Sequence, residues 1–209
     1  LWDQEDIYGA VHAWEALTKT GHGANNHLVI GPWWHSQINR DGWHLGPLKW
    51  PGDTAAEFRQ QVMIPWFNHY LRGTPLARPL PQAMIYNAVE KHWDSFAHWK
   101  VAGAQQLTPL YLQTDMGLGF QQPATGEDSY VSDPARPVPY LPRPIPQKND
   151  QWRTWLVHDQ RFVADRPDVL SYATPVLTRT VTVQGAPIAD IFASTTGTDG
   201  DFVVKLIDV

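Results

Sequence analysis

Near residue 80 the spacing of apolar residues changes, so the chain cannot be one kind of layer throughout. Upstream, Ile7, Val11, Trp14 and Leu17 fall at helical spacing after Asp3 and Asp6, and Gly21-His22-Gly23 closes that helix. His27-Leu28-Val29-Ile30 is a short apolar run of the kind a buried parallel strand shows, stopped by Gly31-Pro32. Thr54-Ala55-Ala56-Glu57 has the capping-box pattern. It opens a predicted helix with Phe58, Val62, Trp66 and Tyr70 on one face, kinked at Pro65 and closed by Arg72-Gly73. Downstream, short strands are predicted at Met84–Tyr86, Leu110–Leu112, Tyr130–Val131, Trp155–Val157, Val176–Val183, Ile188–Phe192 and Phe202–Val209, separated by Gly, Pro and Asp. The expectation is an α/β part over residues 1–73 and an all-β jelly roll or sandwich over 74–209.

Composition narrows the chemistry. Sixteen Lys and Arg against 21 Asp and Glu leave a formal net charge of −5, which excludes a nucleic-acid binder built on a dominant basic patch. With no cysteine, disulfides, thiolate metal sites and a cysteine nucleophile are excluded. No apolar run reaches the roughly 18–20 residues of a membrane-spanning helix, so neither a membrane nor a nucleic-acid partner is expected. The chain starts at Leu1 rather than Met and ends in a strand-like run, so a fragment is expected. Pro134 to Pro146 carries six prolines and reads as an extended surface loop. Eleven tryptophans fit either a Trp-rich core or a stacking surface, and exposed Trp93, Trp99 and Trp152 on a jelly roll would fit a non-catalytic carbohydrate-binding module. A structural or oligomerisation domain is a third possibility, marked by a large apolar patch.

Two clusters carry the candidate chemistry. Asp3, Glu5 and Asp6 precede the first helix, where carboxylates complement the helix dipole. Three carboxylates so close repel one another, and a substrate ammonium would offset that repulsion. In Gly31-Pro32-Trp33-Trp34-His35-Ser36, a histidine follows the carboxyl end of a strand, where open α/β sheets bind ligands. Asp3 and His35 stand 32 residues apart, about one helix-plus-strand unit, which brings both to one sheet edge. The order acid then histidine fits the last two members of a nucleophile–acid–histidine triad. The buried acid would orient the imidazole, and the imidazole would take the nucleophile's proton. No G-x-S-x-G elbow occurs, and Ser36 lacks the flanking glycines. A metal site using His22, His27, His35 and His44 with Asp3 is the competing use; the spacings give no close ligand pair, and no metal or cofactor is expected.

Leu1-Trp2-Asp3-Gln4-Glu5-Asp6 and Gly31-Pro32-Trp33-Trp34-His35-Ser36-Gln37 resemble the acid and histidine blocks of the α-amino acid ester hydrolases, relatives of cocaine esterases, glutaryl acylases and X-Pro dipeptidyl-peptidases. Asp159–Phe162, Arg166–Leu170 and Ser194–Val209 resemble the family's C-terminal jelly roll. The resemblance implies the C-terminal portion of an α/β hydrolase followed by an all-β jelly-roll (β-sandwich) domain, here truncated. It implies Asp3 as triad acid and His35 as triad base, with Glu5 and Asp6 holding the substrate's α-ammonium group. It further implies a serine nucleophile and oxyanion hole upstream of Leu1, acyl transfer through an acyl-serine, and small α-amino ester, amide or β-lactam substrates. Export and homo-oligomers are also implied. An X-Pro dipeptidyl-peptidase-like or general esterase or acylase activity is the alternative within the family.

Overall fold

The computed structural model describes residues 8–97, 99, 107–145, 153, 155–183 and 187–208. The chain divides into two compact units, one of Leu1–Val101 with Leu141–Asp159, the other of Ala102–Tyr140 with Gln160–Val209.

The first unit opens with helix α1, Gly9–Lys19. The Thr18 and Thr20 hydroxyls bend back onto the Trp14 and Ala16 carbonyls at 2.8 and 3.2 Å, a local alternative to continuing the helix. Gly21 then takes φ +83°, which lets the His22 N–H reach the Leu17 carbonyl at 2.9 Å. Of the expected stripe, Trp14 is buried, Leu17 faces solvent and Ile7 lies outside the described residues. Strand β1, Leu28–Ile30, runs parallel to β4, Ala83–Asn87, in the register Leu28↔Ala83. β4 pairs antiparallel with β5, His92–Phe96, so the sheet order is β1-β4-β5 and β1 has one neighbour among the described residues. The hairpin β2 (His44–Leu45) and β3 (Leu48–Lys49) turns at Gly46, φ +55°.

Two apolar clusters hold this unit. Trp14, Leu28 and Ala83 pack with Ile30, Phe96 and Trp99. Leu45, Trp50 and Tyr86 pack with Trp34, Trp93, Leu156 and Val157. This corrects the stacking-surface reading at two positions. Trp99 lies against the first cluster, and Trp93 is held edge-on to Tyr86 with its indole N–H bonded to Glu57 at 3.0 Å. Each ring finds enough apolar area inside to stay there. Trp152 lies outside the described residues.

The long helix is real but differently built. It consists of α2 (Thr54–Phe58), a π turn (Arg59–Met63) and α3 (Ile64–Arg72). Pro65 supplies no N–H and its ring crowds the carbonyl four residues back, so the wider π turn just before it absorbs the defect. Gly73 closes α3 at φ +68°, with the Gly73 and Thr74 N–H groups on the His69 and Asn68 carbonyls. The capping box is displaced by one residue. Asp53 is the cap, its carboxylate accepting from the Ala56 N–H at 2.9 Å and the Gly42 N–H at 2.8 Å. Thr54 is instead turned into the core, and Glu57 reaches Trp93.

In the second unit, β6 (Tyr111–Leu112) and β7 (Leu118–Gly119) form a two-residue ladder. Ala173 bridges to Gly117 beside it. The Arg166 guanidinium binds Asp168 twice, at 2.7 and 2.6 Å, and the Arg136 carbonyl at 3.0 Å, which ties down the proline-rich loop. The strands predicted over 176–183, 188–192 and 202–209 do not form among the described residues, and Trp155–Val157 is a single 3₁₀ turn. Tyr130–Val131 is likewise loop. A strand needs a partner for its alternate N–H and C=O groups and a cover for its apolar face. Here Val176 is 94% and Phe192 fully exposed, so these apolar side chains are left uncovered among the described residues. No closed sandwich is present among the described residues, and their α/β character rests on α1 and the β1–β4 pair. None of their helices is long and apolar enough to cross a membrane.

Candidate active site

β1 delivers the chain to Gly31, and the next six residues fold into a tight presentation loop. A Cβ on Gly31 would sit 2.5 Å from three ring atoms of Trp33, so only glycine fits beneath that indole. Pro32, with φ fixed by its ring, is the middle of a three-residue turn closed by the Trp33 N–H on the Gly31 carbonyl at 2.9 Å. Trp33 plunges inward, 2% exposed, between Phe58 and Trp93. Its indole N–H donates to Thr54 Oγ1 at 2.9 Å, and that hydroxyl donates onward to the Gly42 carbonyl at 2.9 Å. Trp34 is half-buried under two guanidinium groups, Arg153 at 4.6 Å and Arg40 at 5.8 Å from its ring centre. His35 comes out to solvent, Ser36 follows in the left-handed conformation at φ 63°, and Gln37 turns back inside.

The outgoing loop is pinned as firmly. Arg59, the first residue of the π turn, donates from Nη1 to the Ile38 carbonyl at 2.5 Å and the Arg40 carbonyl at 2.7 Å. Behind it, burial and the Glu57 charge both raise the pKa of the Tyr86 phenol above its ordinary value. That hydroxyl and the Trp50 indole N–H are buried with no hydrogen-bond partner among the described residues.

Of the four site residues expected from sequence, His35 is placed, at the carboxyl end of β1. Asp3, Glu5 and Asp6 lie outside the described residues. Among the described residues no three His, Asp or Glu side chains converge as metal ligands, and His27 Nδ1 sits 2.8 Å from the Pro81 carbonyl. Sequence reasoning missed Thr54, Arg59 and, beyond its place in the histidine block, the internal role of Gln37. The usable signal for Gln37 was a polar amide two residues after the histidine, close enough to serve the backbone of its own turn; Thr54 and Arg59 lie too far along the chain to give one.

Residues 77–209 match the X-Pro dipeptidyl-peptidase C-terminal non-catalytic domain. The chain belongs to that domain family. Cocaine esterase of Rhodococcus sp. (strain MB1 Bresler) is 32% identical over 210 residues, covering 89% of this chain and 33% of the relative. The solved structure of a selenomethionine-labelled α-amino acid ester hydrolase superposes with a TM-score of 0.76 at 47% identity, over 85% of this chain and 30% of that one. An aminopeptidase from a marine sediment Thaumarchaeota archaeon gives 0.74 at 42% identity, over 83% and 29%. The chain thus spans about a third of the length of the proteins it matches.

Proposed function

We propose that this chain supplies the acid and base of a serine hydrolase of the α-amino acid ester hydrolase type, with residues 1–73 the closing part of an α/β-hydrolase domain and 74–209 a jelly-roll domain. The observation that carries the reading is the presentation of His35: an exposed histidine at the carboxyl end of a parallel strand, on a loop held by buried, hydrogen-bonded Trp33 before it and Gln37 after it. The family's non-catalytic domain begins at residue 77, so the proposed chemistry falls before it.

In this reading the nucleophile is a serine of the longer protein. The His35 imidazole takes the hydroxyl proton as the oxygen attacks the substrate carbonyl, and returns it to the leaving alcohol or amine as the acyl-serine forms. Water or an amine then takes the acyl group by the same steps. Asp3 holds the ring's second N–H and stabilises the imidazolium. Glu5 and Asp6 face the substrate's α-ammonium. Two matches, an ester hydrolase and an aminopeptidase, are named for a free α-amino group, which supports that specificity. The partner is therefore a small ester or amide bearing an α-ammonium group, turned over by a homo-oligomer.

The test uses the full-length protein carrying these residues. His35→Ala and Asp3→Asn should each lower kcat by roughly a thousandfold or more. Glu5→Gln or Asp6→Asn should lower kcat/KM about 10–100-fold on α-amino esters and leave an uncharged ester unaffected. Full activity in His35→Ala sinks the proposal. The aminopeptidase match favours amide cleavage as a second reading, separated by comparing an α-amino ester with the matching dipeptide amide.

A further inference from the structure

We infer that Gln37 is a positioning residue for His35. The inference rests on the reading of His35 as the base. Gln37 is 1% exposed, in a place where leucine or methionine would fill the space without an amide to satisfy. The side chain instead spends three of its four hydrogen-bonding positions on the loop around His35. Its Oε1 accepts from the Trp34 N–H at 3.1 Å, and its Nε2 donates to the Asp41 carbonyl at 3.0 Å and the His44 carbonyl at 2.9 Å.

The geometry of those bonds bears on one turn. The Gln37 N–H also closes onto the Trp34 carbonyl at 2.9 Å, so residues 34–37 form a β-turn with His35 and Ser36 as its central pair. The turn is closed twice, once by backbone and once by the Gln37 amide oxygen on the Trp34 N–H. Its third residue is left-handed, the position where type II turns take glycine or asparagine, and here a serine stands at φ 63°, ψ 5°. A non-glycine residue in that region persists only where its surroundings over-determine it, and such strain collects at functional sites. Gln37 supplies the over-determination. It anchors the turn to the backbone on the way into β2, while Arg59 holds the Ile38 and Arg40 carbonyls from the π turn. The Cα of His35 is therefore fixed from both sides, and with it the arc the imidazole can sweep.

A base displaced by about 1 Å loses on the order of a hundredfold in rate. In the full-length protein, Gln37→Met should lower kcat on an α-amino ester about 10–100-fold while KM stays within about twofold. Gln37→Glu keeps the volume and the acceptor for Trp34 but presents lone pairs to two carbonyls, and should also lower kcat. It serves as the readout where the Met variant does not fold. The decisive result is a rescue. Ser36→Gly adopts the left-handed turn without the clamp, so Gln37→Met/Ser36→Gly should recover at least a third of the kcat that Gln37→Met loses. A core deletion in the other unit, Val163→Ala, should lower the melting temperature and leave kcat alone. Unchanged kcat in both Gln37 variants, a loss confined to KM, or no recovery with glycine at 36 overturns the positioning role. His35→Ala run beside them separates the failures: retained activity there condemns the base, whereas lost activity there with normal Gln37 variants condemns only the clamp.

Discussion

Thr54→Val isolates the relay under the presentation loop. In the native protein the Trp33 indole N–H, the Thr54 hydroxyl and the Gly42 carbonyl form two hydrogen bonds in series, each 2.9 Å, with the Thr54 side chain fully inside. Valine keeps the shape and removes the hydroxyl, so a buried donor and a buried acceptor lose their partner together. Each costs about 1–3 kcal/mol, offset by a fraction from the added methyl, for a net of about 2–4 kcal/mol. With a urea slope of about 2 kcal/mol/M the midpoint should fall by about 1–2 M. Tryptophan emission follows the transition directly, because Trp33 sits against Trp93. Thr54→Ser, which keeps the hydroxyl, should lose about 1 kcal/mol or less. Trp33→Phe in the Thr54→Val background removes the orphaned N–H, so the double variant should be more stable than the sum of singles by about 1 kcal/mol or more. A midpoint shift below about 0.3 M, or strict additivity, refutes the relay as a buried, mutually dependent pair of bonds.

Tyr86→Phe removes a buried hydroxyl that has no partner among the described residues, so it should be neutral or stabilising by about 1 kcal/mol in the same urea assay; a loss of that size would show that the hydroxyl is bonded. Gly31→Ala puts a Cβ 2.5 Å from the Trp33 ring, and expelling that ring should cost about 2–3 kcal/mol or more and blue-shifted emission with it. The Tyr172 phenol donates to Asp128 at 2.7 Å, and burial first and this carboxylate second push its pKa up to about 12. Because the folded value lies above the unfolded one of 10.0, stability is whole below pH 10 and drains as the pH rises to about 12. Phenolate absorbance should show late-titrating tyrosine in the native protein, and Asp128→Asn should shift part of that amplitude to lower pH.

What was legible in the sequence follows from where each element draws its stabilisation. β1 was readable because an unbroken Leu-Val-Ile run ended by Gly-Pro has few local alternatives, and it forms where expected, parallel to its neighbour. Pro65 announced a defect in the helix, since a missing N–H is a local fact. That the defect would be a π turn was not readable, because the choice depends on what Arg59 and Val62 pack against. The cap moved from Thr54 to Asp53 for a reason one step further away: the Trp33 indole N–H, 21 residues earlier in the chain, claims the threonine hydroxyl. The alternation over 176–183 and 202–208 is genuine strand sequence, yet a period of two states only a willingness to pair. Without a ladder partner and a covered face it yields no strand among the described residues.

The site was legible in its chemistry and illegible in its support. A histidine after a strand-ending Gly-Pro stands out because imidazole chemistry belongs to the residue itself. Gln37 and Arg59 do not stand out, because their work is done on backbone carbonyls at 38, 40, 41 and 44, and a carbonyl leaves no mark in an amino-acid sequence. Most side-chain hydrogen bonds in proteins go to such groups or to water. The residues that hold a catalytic loop in place are therefore the ones that composition and motif pass over. They become visible through burial: an amide at 1% exposure beside a left-handed serine must be satisfied by something, and tracing its three bonds leads to the histidine turn.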